Sequence, residues 1–282
     1  MPASERVSAL GVSDNWRAEL ALDLRRRGDR TVLANRRQRG PLVVQRPFYP
    51  EGEVCHLYLL HPPGGVVGGD ELQIDVDADE GSAALLTTPG ATKFYRSSGA
   101  LASQRVNLRV RRNATLEWLP QETIGFPGAR VAARMQVELE VGAHFVGWDT
   151  VCLGRPAIGE AFALGWFDSR IEVRRGGVPL LHERLSIDGV RGLSRASGLR
   201  GWPVTATFWA TDVTEALLHH ARAGLPNPEN VRVGLTLLGD FLVARYVGDS
   251  TAEARGIFIK LWRLIRAEAL GRAACLPRIW AT

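Results

Sequence analysis

Residues 61–70 read HPPGGVVGGD, and residues 71–80 continue as ELQIDVDADE. Four glycines and two prolines predict a tightly shaped loop, because glycine opens backbone conformations that other residues avoid and Pro63 disfavours the helical region for Pro62. The alternation of apolar and polar residues after the loop is typical of a half-buried β-strand. The loop either connects two strands as a turn or brings its backbone close to another backbone or to a ligand. In both cases it places Asp70 at the strand entrance.

The same alternation recurs along most of the chain. Leu20, Leu22 and Leu24 alternate with polar residues, and segments such as VCHLYLL, SAALLTT, MQVELEV and SRIEVRR also read as strands. Glycine, proline and Asn/Asp turn signals separate the strands at intervals of about ten residues, without helical spacers. This pattern argues against a βαβ nucleotide-binding fold. We therefore predict a mainly β protein, with residues 1–14 as a flexible tail and residues 15–282 as a single β-rich domain of many short strands.

Two α-helices are predicted in the C-terminal third. Asp212 with Glu215, and Ser250 with Glu253, each match a capping box, in which side chains satisfy the free backbone donors at a helix start. The second helix places apolar residues on one face, namely Ile257, Phe258, Leu261, Trp262, Leu264 and Ile265. We expect this face to pack on the sheets; binding of a partner is the alternative.

Composition and charge restrict the function classes. The chain has 282 residues, a net charge of +5 and three widely spaced cysteines, Cys55, Cys152 and Cys275. No apolar run is long enough for a membrane span, and no secretory signal is evident, so a cytoplasmic location is expected. The arginines form short clusters beside turns, without the aromatic spacing of an RNA-binding sheet. This charge suits an acidic protein partner better than a nucleic acid.

Catalytic motifs are not evident, and a non-enzymatic function is predicted. TPGATKF lacks the spacing of a phosphate-binding loop, and the sequence contains no GxSxG, HExxH or CxxC motif. The rival interpretation is a hydrolase or lyase that uses Glu117 and Glu122 as acid and base. Residues five apart on a strand face opposite sides, so a shared cleft would require Pro120 to redirect the chain.

Carboxylates among apolar residues are the most suggestive chemical groups: Asp70, Glu122, Asp149, Glu160 and Glu183. An ionised carboxylate is costly to bury unless it is paired or binds a cation. One interpretation is internal ion pairs with Lys93, Arg155 or Arg184. The other is a hydrated internal passage that holds a divalent cation transiently, since oxygen ligands bind nickel less tightly than imidazole or thiolate does.

Five segments together resemble the UreD family of urease accessory proteins. They occur in that family's order and are QRPFYPEGEVCHLYLLHPPGGVVGGDEL (45–72), LTTPGATKFYRSSGA (86–100), LEWLPQETIGFPGA (116–129), WDTVCLGRPAIGEAF (148–162) and LPRIW (276–280). The resemblance covers most of the chain. It implies a β-rich fold with a small helical part, in agreement with the pattern of strands and helices.

The resemblance also implies a non-enzymatic role in urease maturation. Members of the family act as scaffolds that bind UreF and through it the GTPase UreG, dock on the urease apoprotein and help to deliver nickel; UreE is a further candidate partner. On this basis Asp70, Asp149 and Glu183 are expected along a hydrated nickel route. Thr92, Lys93, Glu122 and Glu160 are expected as supporting residues. No permanently bound cofactor is expected, only nickel in transit. A pure adaptor without a metal path is the alternative.

Overall fold

The computed structural model describes residues 16–226 and 232–281. The tail predicted for residues 1–14 lies outside the described residues. Within these ranges the strands are β1 (Arg17–Arg27), β2 (Arg30–Arg39), β3 (Val43–Val44), β4 (Cys55–Leu60), β5 (Glu71–Ala78), β6 (Ala83–Thr87), β7 (Thr92–Phe94), β8 (Ala102–Val110), β9 (Thr115–Leu119), β10 (Thr123–Gly125), β11 (Arg130–Leu139), β12 (His144–Arg155), β13 (Glu160–Ala161), β14 (Trp166–Arg175), β15 (Val178–Asp188), β16 (Val204–Ala210), β17 (Arg232–Leu238) and β18 (Phe241–Gly248).

The helices follow late in the chain, and the prediction of a mainly β fold is confirmed. They are α1 (Gly189–Ser194), α2 (Glu215–Ala223) and α3 (Thr251–Glu268), with short 3-10 turns at Pro156–Ile158 and Arg278–Ala281. The six-residue helix α1 was not predicted. None of the helices in residues 16–226 and 232–281 combines the length and apolar character that crossing a membrane requires.

Two sheets form the body. The first sheet has the strand order β15-β14-β11-β8-β5-β1-β2. The second has the order β17-β18-β16-β12-β9-β6-β4-β3, with β7, β10 and β13 attached beside β12. A large apolar core fills the space between the sheets, and a second core lies between the second sheet and helices α2 and α3. The molecule is therefore layered as sheet, sheet and helices.

The chain crosses repeatedly from one sheet to the other. Strands β5, β8, β11 and β14 pair in parallel in the first sheet, while β4, β6, β9 and β12 pair in parallel in the second. Parallel neighbours require a crossover connection, which is usually a helix. Here each crossover contains a strand of the opposite sheet instead. This explains how parallel sheets form in a sequence without helical spacers.

Side-chain alternation follows from this layering. Strand β5 buries Leu72, Ile74 and Val76 while its polar residues face outward. Strands β6 and β9 of the second sheet are buried along their whole length, because the first sheet covers one face and other parts of the chain the other. The second sheet is therefore an internal layer, and a charged side chain within it needs a specific partner.

The predicted apolar face of α3 is confirmed, with Leu264 only partly buried. The helix begins as predicted, because the Ser250 hydroxyl accepts a hydrogen bond from the Glu253 N–H. The cap predicted at Asp212 is wrong. Helix α2 begins at Glu215, and the Thr214 hydroxyl accepts the N-terminal bond from the Leu217 N–H. Asp212 has a φ of 63° and lies two residues too early, where its carboxylate pairs with His144 instead.

Candidate functional site

A cavity of about 320 Å³ lies between the two sheets. Inward-facing residues of the first sheet, including Ile74 and Val106, form one wall, and Trp118 and Asp149 of the second sheet form part of the other. The glycine loop predicted from residues 61–70 contributes to its lining, together with the segment that carries Thr92 and Lys93. At about 30 Å³ for each molecule, the space holds on the order of ten waters.

A second cavity of about 150 Å³ adjoins the first. Four residues line both cavities, and we call them the junction: Asp149, Val151, Ser169 and Ile171. Beyond the junction, the smaller cavity is lined by Glu183 of β15 and Arg245 of β18. The two cavities are therefore neighbours, with one carboxylate at the junction and a second, Glu183, in the lining of the smaller cavity.

Asp149 is the central charged group of this space. It lies near the middle of β12 and is half-buried, and no residue of the described chain forms an ion pair with it. The pKa of the Asp149 carboxyl is raised to about 6, mainly by burial and also by the nearby Glu183 charge, while a hydrogen bond from the Thr150 backbone acts in the opposite direction. The carboxyl is thus mostly ionised at neutral pH and is available to a cation.

Glu183 faces the same space from the opposite sheet. One of its oxygens accepts a hydrogen bond from Arg245 Nε at 2.6 Å, while Oε2 is buried and has no hydrogen-bond partner. Arg245 thus pairs with Glu183 and not with Asp149. The predicted internal ion pair exists for Glu183, although its partner is Arg245 and not Lys93, Arg155 or Arg184. A negative charge is left over when Asp149 is also ionised.

The donor set does not resemble a stable metal site. The described residues contain no group of three or more histidine, cysteine, aspartate or glutamate side chains placed to hold one ion. Two carboxylates and water can hold a divalent cation only weakly. The chemistry of the junction therefore fits transient contact with a hydrated cation better than storage.

Asp70 has a different setting. Its side chain is buried, and its two oxygens accept hydrogen bonds from the backbone N–H groups of Trp16 and Val67, both at 3.0 Å. It belongs to the lining of neither cavity. These bonds close the glycine loop and attach the start of β1 to it, which is a structural use of the carboxylate.

The glycine loop approaches another part of the chain closely. A Cβ atom at Gly65 would collide with the Tyr95 ring, and one at Gly68 would collide with the Ser97 side chain. Gly64 and Gly65 also belong to the cavity lining. The close approach expected of this loop is therefore made to the segment after β7, and the same packing shapes one end of the cavity.

The supporting residues divide into two groups. Thr92 and Lys93 line the larger cavity together with Asp149. Glu122 is half-buried near the cavity but does not line it, and its backbone oxygen accepts a bond from the Thr92 N–H at 2.9 Å. Glu160 forms an ion pair with Arg155, but this pair lies near the surface and is not the internal one that one interpretation predicted.

The rival acid–base pair is not assembled. Glu117 is fully buried on the face of β9 that packs against α3, where Arg266 Nε lies 3.1 Å from Oε2 and Trp262 Nε1 donates to it at 2.6 Å. Glu122 lies in the connection after β9, beside Cys152. Glu117 thus faces the helices and is already paired with a cation, so it is not free to share a cleft with Glu122.

Arg245 was not identified from the sequence. The strand register places Asp149 opposite Thr207 of β16, and Thr207 opposite Arg245 of β18, so the three residues form one row across the second sheet. No local pattern near Arg245 signals this position, because the row depends on the pairing of three strands that are distant in sequence.

Asp149→Asn is expected to raise the free energy of unfolding near pH 7.5 by about 1–2 kcal/mol and to change it little near pH 4. The pKa of Asp149 is raised in the folded state, so its protonated form stabilises the protein below the unfolded pKa of 3.8, and this contribution is lost as the pH rises through about 6. Asparagine remains uncharged throughout. Urea denaturation at both pH values measures the difference, and Asp29→Asn in the exposed β1–β2 turn is the control. Equal effects of the two substitutions would contradict this prediction.

Comparison with known proteins identifies the family. The family model described as UreD urease accessory protein matches residues 17–281. A protein named urease accessory protein UreD from Alkalilimnicola ehrlichii is 48% identical over 282 residues, covering 99% of this chain and 96% of the relative. A protein of the same name from Alcanivorax borkumensis is 46% identical to this chain, with the same coverage. The protein of that name from Pseudomonas entomophila is 44% identical over the full length of both chains. The chain therefore belongs to the UreD family of urease accessory proteins.

Proposed function

We propose that this chain is a non-enzymatic scaffold for urease maturation and that nickel passes through its internal space on the way to the urease apoprotein. The observation that carries the proposal is the pair of adjoining cavities, in which Asp149 stands at the junction and Glu183 beyond it. The names of the relatives support the connection with urease.

The proposed mechanism is passive. A hydrated divalent ion enters the larger cavity, where the space allows it to keep water ligands. Ionised Asp149 and the unpaired oxygen of Glu183 lower the electrostatic barrier to the ion at the narrow part of the route. Neither group holds the ion as tightly as imidazole or thiolate would, so release to the next protein is not prevented.

Lys93 and Arg245 limit the negative charge of the route. Lys93 lines the same cavity as Asp149, and Arg245 pairs with Glu183. A route with only carboxylates would retain a divalent ion, whereas mixed charge favours passage. In this scheme the GTPase UreG, reached through UreF, supplies the energy of the cycle, and UreE supplies nickel in a cytoplasmic complex. The chain itself holds no permanent cofactor.

Co-expression with the urease subunits and UreF, UreG and UreE tests the proposal. The variants Asp149→Ala and Glu183→Ala are compared with Asp70→Ala, whose carboxylate closes a loop, and with Glu160→Ala at the surface. We expect Asp149→Ala and Glu183→Ala to lower the nickel content of urease at unchanged complex assembly. Glu160→Ala should have no effect, and Asp70→Ala should act through stability of the fold.

The outcomes separate the alternatives. Normal nickel content with both cavity variants would remove the internal route and leave a pure adaptor. A folded parent chain that fails to bind UreF would remove the scaffold function. Turnover of a small substrate by the isolated chain would favour the rival enzyme interpretation.

A further inference from the structure

Four arginines form a row across the outer face of the first sheet. The strand register pairs Arg105 of β8 with Arg134 of β11, Arg134 with Arg170 of β14, and Arg170 with Arg184 of β15. We call these four residues the arginine row. Adjacent strands lie about 4.8 Å apart, so the row extends over roughly 14 Å. Like charges directly opposite each other on neighbouring strands destabilise a sheet unless a counter-charge lies among them.

One buried carboxylate partly compensates the row. The Asp168 side chain is 1% exposed; its Oδ2 lies 2.6 Å from Arg134 Nη2, and its Oδ1 lies 2.7 Å from Arg184 Nε. Arg170 Nε is 3.5 Å from Oδ2. Despite burial, hydrogen bonds from Arg184 and Arg134 keep the pKa of Asp168 below its usual range. Four cations against one carboxylate leave a net charge of +3.

The arginines remain accessible although Asp168 orients three of them. The side chains of Arg134, Arg170 and Arg184 are 32%, 46% and 54% exposed. Arg105 is exposed and makes no hydrogen bond or ion pair with any described residue. Contacts with Asp168 hold the guanidinium groups in fixed positions, so less conformational entropy is lost when they bind carboxylates.

The surroundings of the row indicate which ligand it fits. On one side of the row, the next outward-facing positions are Asn107, Gln136, Glu172 and His182. On the other side they are Ser103, Ala132, Asp168 and Ser186. The basic band is thus one residue wide, and its flanks contain no Phe, Tyr or Trp to stack on a base. A nucleic acid would need a broader basic groove or stacking side chains. A short line of carboxylates on a protein matches the band in width and charge.

We propose that the arginine row is a docking surface for an acidic protein segment that presents three or four carboxylates along one face. This proposal rests on the proposed function, because the acidic segment is expected to belong to one of the proteins that take part in urease maturation. The row lies on the outer face of the sheet whose inner face lines the cavities, and Arg134 and Arg184 also belong to the linings of the larger and the smaller cavity, so the row borders the internal space.

Two triple variants of the full-length chain test this surface. Arg105→Gln, Arg170→Gln and Arg184→Gln together remove three charges from the row. Arg36→Gln, Arg37→Gln and Arg39→Gln remove three exposed charges from β2, at the other end of the same sheet. Because loss of Arg170 and Arg184 also weakens the surroundings of Asp168, Arg105→Gln alone is the second test: it removes no internal contact.

Binding is measured separately to UreF, to UreG, to the urease apoprotein and to a synthetic polyglutamate peptide, at about 0.05 M and about 0.3 M salt. We expect the row variant to weaken binding to the peptide and to one partner by about tenfold at low salt, and Arg105→Gln by about threefold. The β2 variant should stay within about threefold of the parent, and the difference should shrink at high salt.

Equal weakening by both triple variants, or none, would overturn the inference and leave the proposed function untouched. A parent chain that binds polyglutamate through the row but none of the three partners would support the docking surface and remove the proposed function. Row-dependent binding of a duplex DNA oligonucleotide tighter than that of polyglutamate would overturn the assignment to an acidic protein.

Discussion

Replacing Arg266 with methionine is expected to lower the free energy of unfolding by about 3–5 kcal/mol. Arg266 is fully buried on α3, where Nε contacts both oxygens of Glu117 at 3.2 and 3.1 Å and Nη2 contacts Glu51 at 2.8 Å. Methionine fills much of the same volume but leaves the buried Glu117 without a cation. The loss is large because an uncompensated carboxylate remains in a dry layer between the second sheet and the helix.

Urea denaturation at neutral pH measures this loss. Arg263→Met on the exposed side of α3 is the matched control and should change stability by less than about 0.5 kcal/mol. The double variant Glu117→Gln, Arg266→Met should be more stable than Arg266→Met alone, since the unpaired charge is then absent. A loss below about 1 kcal/mol for Arg266→Met would show that Glu117 is accommodated without its arginine.

Ser169→Phe is expected to lower the nickel content of urease about tenfold while both carboxylates of the route remain in place. Ser169 is one of the four junction residues and is buried between the two cavities. A phenyl ring there occupies space that a hydrated ion needs. The substitution therefore tests the passage itself, independently of the charge of Asp149 and Glu183.

The same substitution at an exposed serine supplies the control for this prediction. Ser197→Phe lies in the turn after α1, where the side chain is exposed, and should leave nickel delivery normal. Ser169→Ala, which widens the junction, should also be normal. Added volume in a packed interior costs about 1–3 kcal/mol, so co-purification with UreF verifies that the phenylalanine variant is folded. Normal nickel content in a folded Ser169→Phe variant would exclude a route through the junction.

Local sequence patterns were sufficient for the strands with clear alternation and for the longest helix, but not for β12, β16, β17 and β18. Alternation of Leu20, Leu22 and Leu24 predicted a half-buried strand, and the capping box at Ser250 predicted the start of α3. The parallel order of the strands was not predicted, because alternation reveals which face is buried but not which strand lies alongside. The cap prediction at Asp212 failed for a local reason, since the hydroxyl of the nearby Thr214 caps the helix at the position where it begins.

Prediction of the site was limited by long-range pairing. Asp149 and Glu183 were among five carboxylates noted for their apolar surroundings, and the family resemblance assigned them to the nickel route; both line the smaller cavity. Asp70 has similar surroundings, but its oxygens are used by two backbone N–H groups, which depends on where Trp16 lies. The four arginines of the outer face are separated by 29, 36 and 14 positions in the sequence, and only the strand register aligns them.

The chain alternates between the two sheets, and one such repeat, a strand of the first sheet followed by a strand of the second, is called a coil here. Each coil therefore lengthens both walls of the cavity by the same strand spacing of about 4.8 Å. Insertion of a whole coil would extend the internal space without disturbing the register of its neighbours. A partial insertion would move one wall against the other. The length of the space between the two sheets is therefore set in steps of one strand spacing.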